Sequence, residues 1–300
     1  MKELVVISGK GGTGKTSIVA AFASLAKNAV LADCDVDAAD LHLVLDPKIR
    51  RREDFSGGSK AQVMPERCTG CGLCVRLCRF DAVHQSGPGS DGTSVVAAVD
   101  PIACEGCGVC VHFCPEKAIE LFPAVNGEWF VSETRCGPLV HARLGVAEEN
   151  SGKLVSLVRS HAKRIAQEKS LDLVLIDGSP GIGCPVIASI TGADLVLVVT
   201  EPTLSGRHDL ERVAALTKHF GIRTLVCINK WDLNEEMTAR IEERALGLGL
   251  KTVGRIRYDQ SVTRAQIARK SLVEYQDSGT AAEMMQVWCE VLEALNIEEK

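Results

Sequence analysis

Short aliphatic runs recur along the chain, separated by stretches with a different period. Residues 4–7, 29–32, 173–176, 195–199 and 224–228 are almost continuous in Val, Ile, Leu, Ala and Cys, and 252–256 reads as a final strand. Runs without in-and-out alternation fit strands buried on both faces of a parallel sheet. Between them, residues 18–26, 154–167, 207–219, 235–246 and 281–295 read as helices. Strand and helix alternating in this way predict an α/β fold, with a mainly parallel sheet covered by helices on both faces.

One long interruption breaks the rhythm. Residues 46–60 lose periodicity and become charged and glycine-rich, as in Lys48-Ile49-Arg50-Arg51-Arg52 and Gly57-Gly58-Ser59. A cysteine-dense stretch follows, and Trp129-Phe130-Val131 returns the chain to apolar strand character. The expected organisation is a first part of the α/β domain at 1–60, an inserted module at 61–122, and the rest of the domain at 123–300. Within the insert, polar residues 84–93 predict a hairpin extension, with 95–99 and 119–122 as its flanking strands. Farther on, residues 148–153 form a polar loop that could switch or dock a partner. Ser151-Gly152-Lys153 lacks the upstream glycine of a phosphate loop, so Ser151 is read as a helix cap. His141 is read as a packing or hydrogen-bonding residue.

Composition narrows the class. A 46% hydrophobic fraction over 300 residues supports a core, and a net charge of −5 with no basic tract argues against a nucleic-acid footprint. No apolar run approaches the ~20 residues of a membrane span, and a core strand begins by Leu4 without a leader pattern, so a cytoplasmic protein is expected. Thirteen cysteines in such a compartment remain thiols, and clustered thiols point to metal.

The polar residues that end the aliphatic runs carry the candidate chemistry. After residues 4–7 comes Ser8-Gly9-Lys10-Gly11-Gly12-Thr13-Gly14-Lys15-Thr16. The spacing G-x-x-x-x-G-K-[ST], between a strand and a helix, is a phosphate cradle: amides wrap the phosphates, Lys15 reaches the terminal ones and Thr16 meets Mg²⁺. Asp33, Asp35 and Asp177 end two further strands, where open α/β sheets place ligands. Asp177-Gly178 opens a glycine-rich segment to Gly183, and Asn229-Lys230-Trp231-Asp232 ends another strand.

The insert carries Cys68-x2-Cys71-x2-Cys74-x3-Cys78 and repeats the pattern at Cys104, Cys107, Cys110 and Cys114. Zinc competes for C-x2-C pairs, but zinc sites rarely need a third and fourth cysteine in this register. The doubled pattern resembles a bacterial-type ferredoxin with two [4Fe–4S] clusters, in which the fourth cysteine of each run ligates the other cluster. That resemblance implies Cys68, Cys71, Cys74 and Cys114 around cluster 1, and Cys104, Cys107, Cys110 and Cys78 around cluster 2. Gly70, Gly72, Gly106 and Gly108 suit the tight loops such clusters need.

The extra lysine directly after Gly9 makes the cradle similar to the deviant Walker A loop of the MinD/ParA and nitrogenase iron-protein class. With the ferredoxin-like insert, nearly the whole chain resembles MinD-superfamily ATPases carrying an inserted ferredoxin domain. The resemblance implies an ATP-dependent homodimer in which Lys10 acts in trans and Lys15 in cis. It implies that Asp35 activates the attacking water, that Thr16, Asp33 and Asp177 surround Mg²⁺, and that Asn229, Arg257 and Tyr258 lie against the base. ATP is expected, with GTP left open by the Asn-Lys-x-Asp form. A redox or apo-protein partner would dock near the insert, so ATP-gated electron transfer is the leading expectation; cluster or metal-cofactor carriage and redox-sensing positioning are the alternatives. Cys184 lies where the nitrogenase iron protein places an interface ligand; with Cys136 it could complete such a site, but a buried small hydrophobe is the favoured reading. The last helix lacks the basic face by which MinD binds membranes, so membrane patterning is not expected.

Overall fold

The aliphatic runs become the centre of one nine-stranded sheet. In the computed structural model, residues 1–88, 95–145 and 151–297 are described. The strands are β1 (Lys2–Ser8), β2 (Ala29–Asp33), β3 (Lys48–Phe55), β4 (Gly58–Val63), β5 (Val83–Pro88), β6 (Val95–Val99) and β7 (Ile119–Ala124). They continue as β8 (Gly127–Thr134), β9 (Gly137–Leu144), β10 (Leu173–Pro180), β11 (Leu195–Thr200), β12 (Thr224–Asn229) and β13 (Lys251–Ile256). The sheet order is β13-β12-β11-β1-β10-β2-β9-β8-β3. From β13 to β9 every neighbouring pair is parallel. Only Arg135 and Cys136 separate β8 from its neighbour β9, a connection short enough to require an antiparallel hairpin.

Both faces of the central parallel strands are dry. Leu4 and Val6 join a core cluster with Leu31, Leu175 and Leu197, while the alternate residues Val5 and Ile7 are equally buried on the other side. The first face is covered by the helices Lys15–Leu25 and Thr280–Leu295, whose Phe22 and Trp288 rings lie 4.9 Å apart. Burying a side chain such as Phe22 contributes about 1.5–3 kcal/mol, and this face carries many of them. On the amphipathic helix Ser151–Glu168, Arg159 and Lys163 both bond Glu3 of β1.

The chain divides into two compact units, Met1–Glu53 with Trp129–Arg143 and Ser151–Lys300, and Asp54–Glu128 with Leu144–Asn150. Two expectations need correction here. Residues 46–60 are strand rather than irregular chain: they contain β3 and the start of β4, although the division between the two units does fall among them, after Glu53. The first seven residues of β3 are exposed, so no buried face imprints a hydrophobic period on them. Residues 119–122 do not flank the hairpin either. That stretch lies in β7, which pairs antiparallel with β4, whereas β5 pairs with β6.

The tip of the expected hairpin, 89–94, and residues 146–150 of the polar loop lie outside the described residues. Ser151 is itself helical, and so is not the cap residue expected of it. Among the described residues no helix is long and apolar enough to cross a membrane.

Candidate nucleotide site and cysteine cavities

Five adjacent strands, β2, β10, β1, β11 and β12, bring their carboxyl ends to one edge of the sheet. Register aligns them: Asp33 is opposite Asp177, Asp177 opposite Val6, and Ser8 opposite Val199. Residues 9–14 then turn from β1 into the helix Lys15–Leu25. Gly14 has φ of 88°, and a Cβ there would lie 2.3 Å from Asn229 Nδ2. At Gly9 the constraint is different, since a Cβ would fall 2.2 Å from Asp209 Cβ. Gly14 is therefore required by close approach as well as by turning, and Gly9 by close approach alone.

Lys15 is buried, with Nζ 2.5 Å from Asp177 Oδ1 and 3.3 Å from Asp35 Oδ2. Burial pulls its ammonium pKa down, but the carboxylates of Asp177 and Asp35 outweigh this and raise it above the usual lysine range. Burial, followed by repulsion from Asp177, pushes Asp33 well above the normal carboxyl range; burial also raises Asp35, against the pull of Lys15. Three carboxyl groups thus face one ammonium. Asp177 Oδ2 and Thr13 Oγ1 are buried without a hydrogen-bond partner among the described residues. An acidic pocket with an orphaned carboxylate oxygen and a hydroxyl beside a phosphate cradle suits a divalent cation and an anion together.

The remaining predicted residues divide. Asp33 accepts from the amides of Asp35 and Leu41, each at 3.2 Å, so it fixes the loop carrying Asp35. Thr16 stands half-buried in the first turn of the helix after the cradle. Lys10 Nζ stays within its own chain, 2.6 Å from Glu201 Oε1, 3.0 Å from Ser205 Oγ and 3.4 Å from Thr203 Oγ1. Asn229 donates to the Thr13 carbonyl at 2.7 Å and so buttresses the cradle from behind. Arg257 pairs with Glu283, and Tyr258, half-exposed, donates its amide to Asp232 at 2.7 Å.

Two residues were missed by the sequence reading. Glu201, directly after β11, bonds Lys10 through Oε1 and Lys230 through Oε2 at 3.2 Å; Lys230 also donates to the Gly12 carbonyl at 2.8 Å. Burial raises the Glu201 pKa, but hydrogen bonds from the two lysines outweigh it and hold the carboxyl below its ordinary range. The available signal was its position, the residue after an aliphatic strand ending at the same edge as Asp33 and Asp177.

The eight clustered cysteines line two cavities in the second unit. One is lined by Cys68, Cys71, Cys74 and Cys114, the other by Cys104, Cys107, Cys110 and Cys78. Each cavity takes three cysteines from one run and the last cysteine of the other. The 36-residue repeat extends to the backbone. Gly70 and Gly106 both have positive φ and face strand carbonyls, Val95 O and Ser59 O, while the amides of Ala82 and Ala118 donate to Cys78 and Cys114 Sγ at 3.4 and 3.3 Å. Burial raises the thiol pKa of Cys74 and of Cys110. Among the described residues no three His, Cys, Asp or Glu side chains converge on a single ion. Four thiols standing around a void suit a polynuclear group, whose metals are spread over its corners.

Cys136 and Cys184 are at opposite ends of the sheet. Cys136 precedes Gly137, which abuts Ala29 O at the amino end of β2, whereas Cys184 follows the carboxyl end of β10. Cys184 is exposed, so the buried-hydrophobe reading fails for it. His141 is buried, bonds Ser132 at 3.0 Å and stacks on Phe130 and His42; burial lowers its pKa to about 4.

Fold and cradle define a P-loop nucleotide-binding domain of the α/β class. The chain belongs to the CobQ/CobB/MinD/ParA nucleotide binding domain family, whose profile matches residues 4–273. It is 35% identical over 235 residues, 77% of this chain and 79% of the relative, to uncharacterized protein MJ0578 of Methanocaldococcus jannaschii. It is 24% identical over 97% of its length and 88% of the relative to uncharacterized ATP-binding protein MJ0547 of the same organism. Among solved structures it is similar in fold to the septum site-determining protein MinD complexed with Mg-ADP from Pyrococcus horikoshii, at TM-score 0.58 and 16% identity, covering 97% of this chain and 95% of that one.

Proposed function

We propose that this protein is a Mg-dependent ATPase of the MinD/ParA type carrying an inserted two-cluster ferredoxin domain, in which ATP-driven dimer switching gates electron transfer. The observation that carries the reading is the lining of the two cavities by four cysteines each. A relative named as ATP-binding over nearly the whole chain supports the choice of nucleotide. Two [4Fe–4S] clusters would be held by those eight thiols, where they supply one-electron carriers. Mg²⁺ would be held by Thr16 and Asp177, with Asp33 organising the surrounding loop, and supplies charge neutralisation on the phosphates.

The chain's own groups do the rest. Cradle amides and Lys15 bind the β- and γ-phosphates; binding draws Lys15 toward the new anion and loosens its pairs with Asp35 and Asp177. Asp35, no longer neutralised by Lys15, accepts a hydrogen bond from the attacking water and orients it. Gly178 to Gly183, continuous with Asp177, follow the γ-phosphate. Lys10 leaves Glu201 to reach the nucleotide of a second copy, so closure and hydrolysis are linked. The cycle determines when the inserted domain is presented to a redox partner.

The test is anaerobic iron–sulfur reconstitution, reduction, and measurement of electron delivery to a one-electron acceptor with ATP, with ADP and without nucleotide. About eight irons per chain are expected, with delivery that depends on ATP turnover. Delivery indifferent to nucleotide would sink the gating; passage of intact clusters to an apo-acceptor would replace it with cluster carriage.

A further inference from the structure

Glu201 lies outside the phosphate cradle, yet it bonds Lys10 of the cradle and Lys230 beside it. We propose that Glu201 is a positioning residue that latches Lys10 in cis and sets the free-energy threshold for assembly of two copies. This rests on the reading that Lys10 acts across a dimer.

The geometry is specific. Lys10 meets one carboxylate oxygen at 2.6 Å and, with Ser205 and Thr203 hydroxyls at 3.0 and 3.4 Å, finds three acceptors in its own chain. The Thr203 hydroxyl is already committed, capping the helix Leu204–His219 by accepting from the Gly206 amide at 2.9 Å. That cap ties the acceptor set to a rigid element. Glu201 is fixed from the other side by Lys230, itself anchored to the Gly12 carbonyl. A Cβ at Gly206 would lie 2.3 Å from the Glu201 carbonyl, so the strand end and helix start are pressed together. Lys10 cannot keep this nest and also extend away from its own chain. When it leaves, Lys230 stays on Glu201 and the carboxylate is not stranded, which keeps the release reversible.

A partly buried ion pair of this kind restrains its lysine by about fivefold. Two copies each release one latch on assembly, so the factor enters the dimer dissociation constant squared, about 25-fold.

The experiment is Glu201→Gln, which keeps shape and an acceptor but removes the charge. Sedimentation velocity in ATP should show half-maximal self-association at a protein concentration about 25-fold lower than for the parent. Unchanged or weaker association overturns the latch. The second readout uses nucleotide-free chain and needs no dimer: acylation of the Lys10 amine, followed by peptide mass spectrometry against the exposed Lys270. It should be about fivefold faster in Glu201→Gln, and Glu201→Asp should fall between the two. An unchanged Lys10 rate overturns the latch whatever assembly does. Faster labelling combined with no ATP-dependent assembly in either protein sustains the cis contact and removes the trans role of Lys10.

Discussion

Lys10 and Lys15 are five residues apart and do opposite things. Lys15 is enclosed by Asp177 and Asp35, whereas Lys10 is one-third exposed on Glu201. Lys10→Ala should therefore leave iron content and ATP binding intact, while ATP-dependent self-association is lost and turnover falls at least about 10³-fold, the scale of an arginine finger. A variant that hydrolysed ATP at the parent rate would falsify the assignment. His141 makes a different residue-scale prediction. Its folded pKa, about 4, lies below the unfolded value near 6.5, so the neutral ring favours the fold above pH 6.5. As pH falls from 6.5 toward 4 the unfolded chain takes up the proton first, and stability should drop by roughly 3 kcal/mol. Urea unfolding at pH 7 and pH 5, for the parent and for His141→Phe, checks this: the variant should lose most of the slope.

At the scale of elements, two glycines of the second cysteine run respond differently to adding a methyl. Gly106 and Gly108 both have positive φ, 62° and 76°, but only at Gly106 would a Cβ meet backbone, 1.9 Å from Ser59 O. Gly108→Ala should cost about 1–2 kcal/mol, the penalty of the left-handed conformation. Gly106→Ala must in addition push β4 away, and should cost at least about 3 kcal/mol. Limited proteolysis of the segment Asp54–Glu128 under increasing urea separates the two. Elements were also where the sequence was read unevenly. β1, β2, β10, β11 and β12 were plain, because strands covered on both faces must be aliphatic throughout. β3 was invisible because Lys48 to Asp54 stay exposed and burial imposed no pattern. The cradle and cysteine runs were legible because local spacing carries their chemistry. Glu201 was not, because its partner Lys10 is 191 residues away along the chain and only sheet order makes them neighbours.

At the scale of the molecule, an insert between Asp35 and Asp177 connects to the nucleotide domain at both ends, through β3 and β8, which are neighbours in the sheet. The cavities add a test of long-range wiring. Cys78→Ser removes a thiol from the first cysteine run, yet should disturb the site of Cys104, Cys107 and Cys110. Electron paramagnetic resonance of the reduced protein should show the signal of that second cluster lost or altered, while the one on Cys68, Cys71 and Cys74 survives. The reverse pattern would mean that each run keeps its own fourth cysteine.

The crossing of those cysteines also bears on whether the module can be divided. Each 36-residue half lacks the thiol that closes its own cavity and offers the one that closes its neighbour's. A single half, freed from the chain, would therefore be incomplete alone but complementary to a copy of itself. Two such halves would each supply the thiol that the other's cavity lacks.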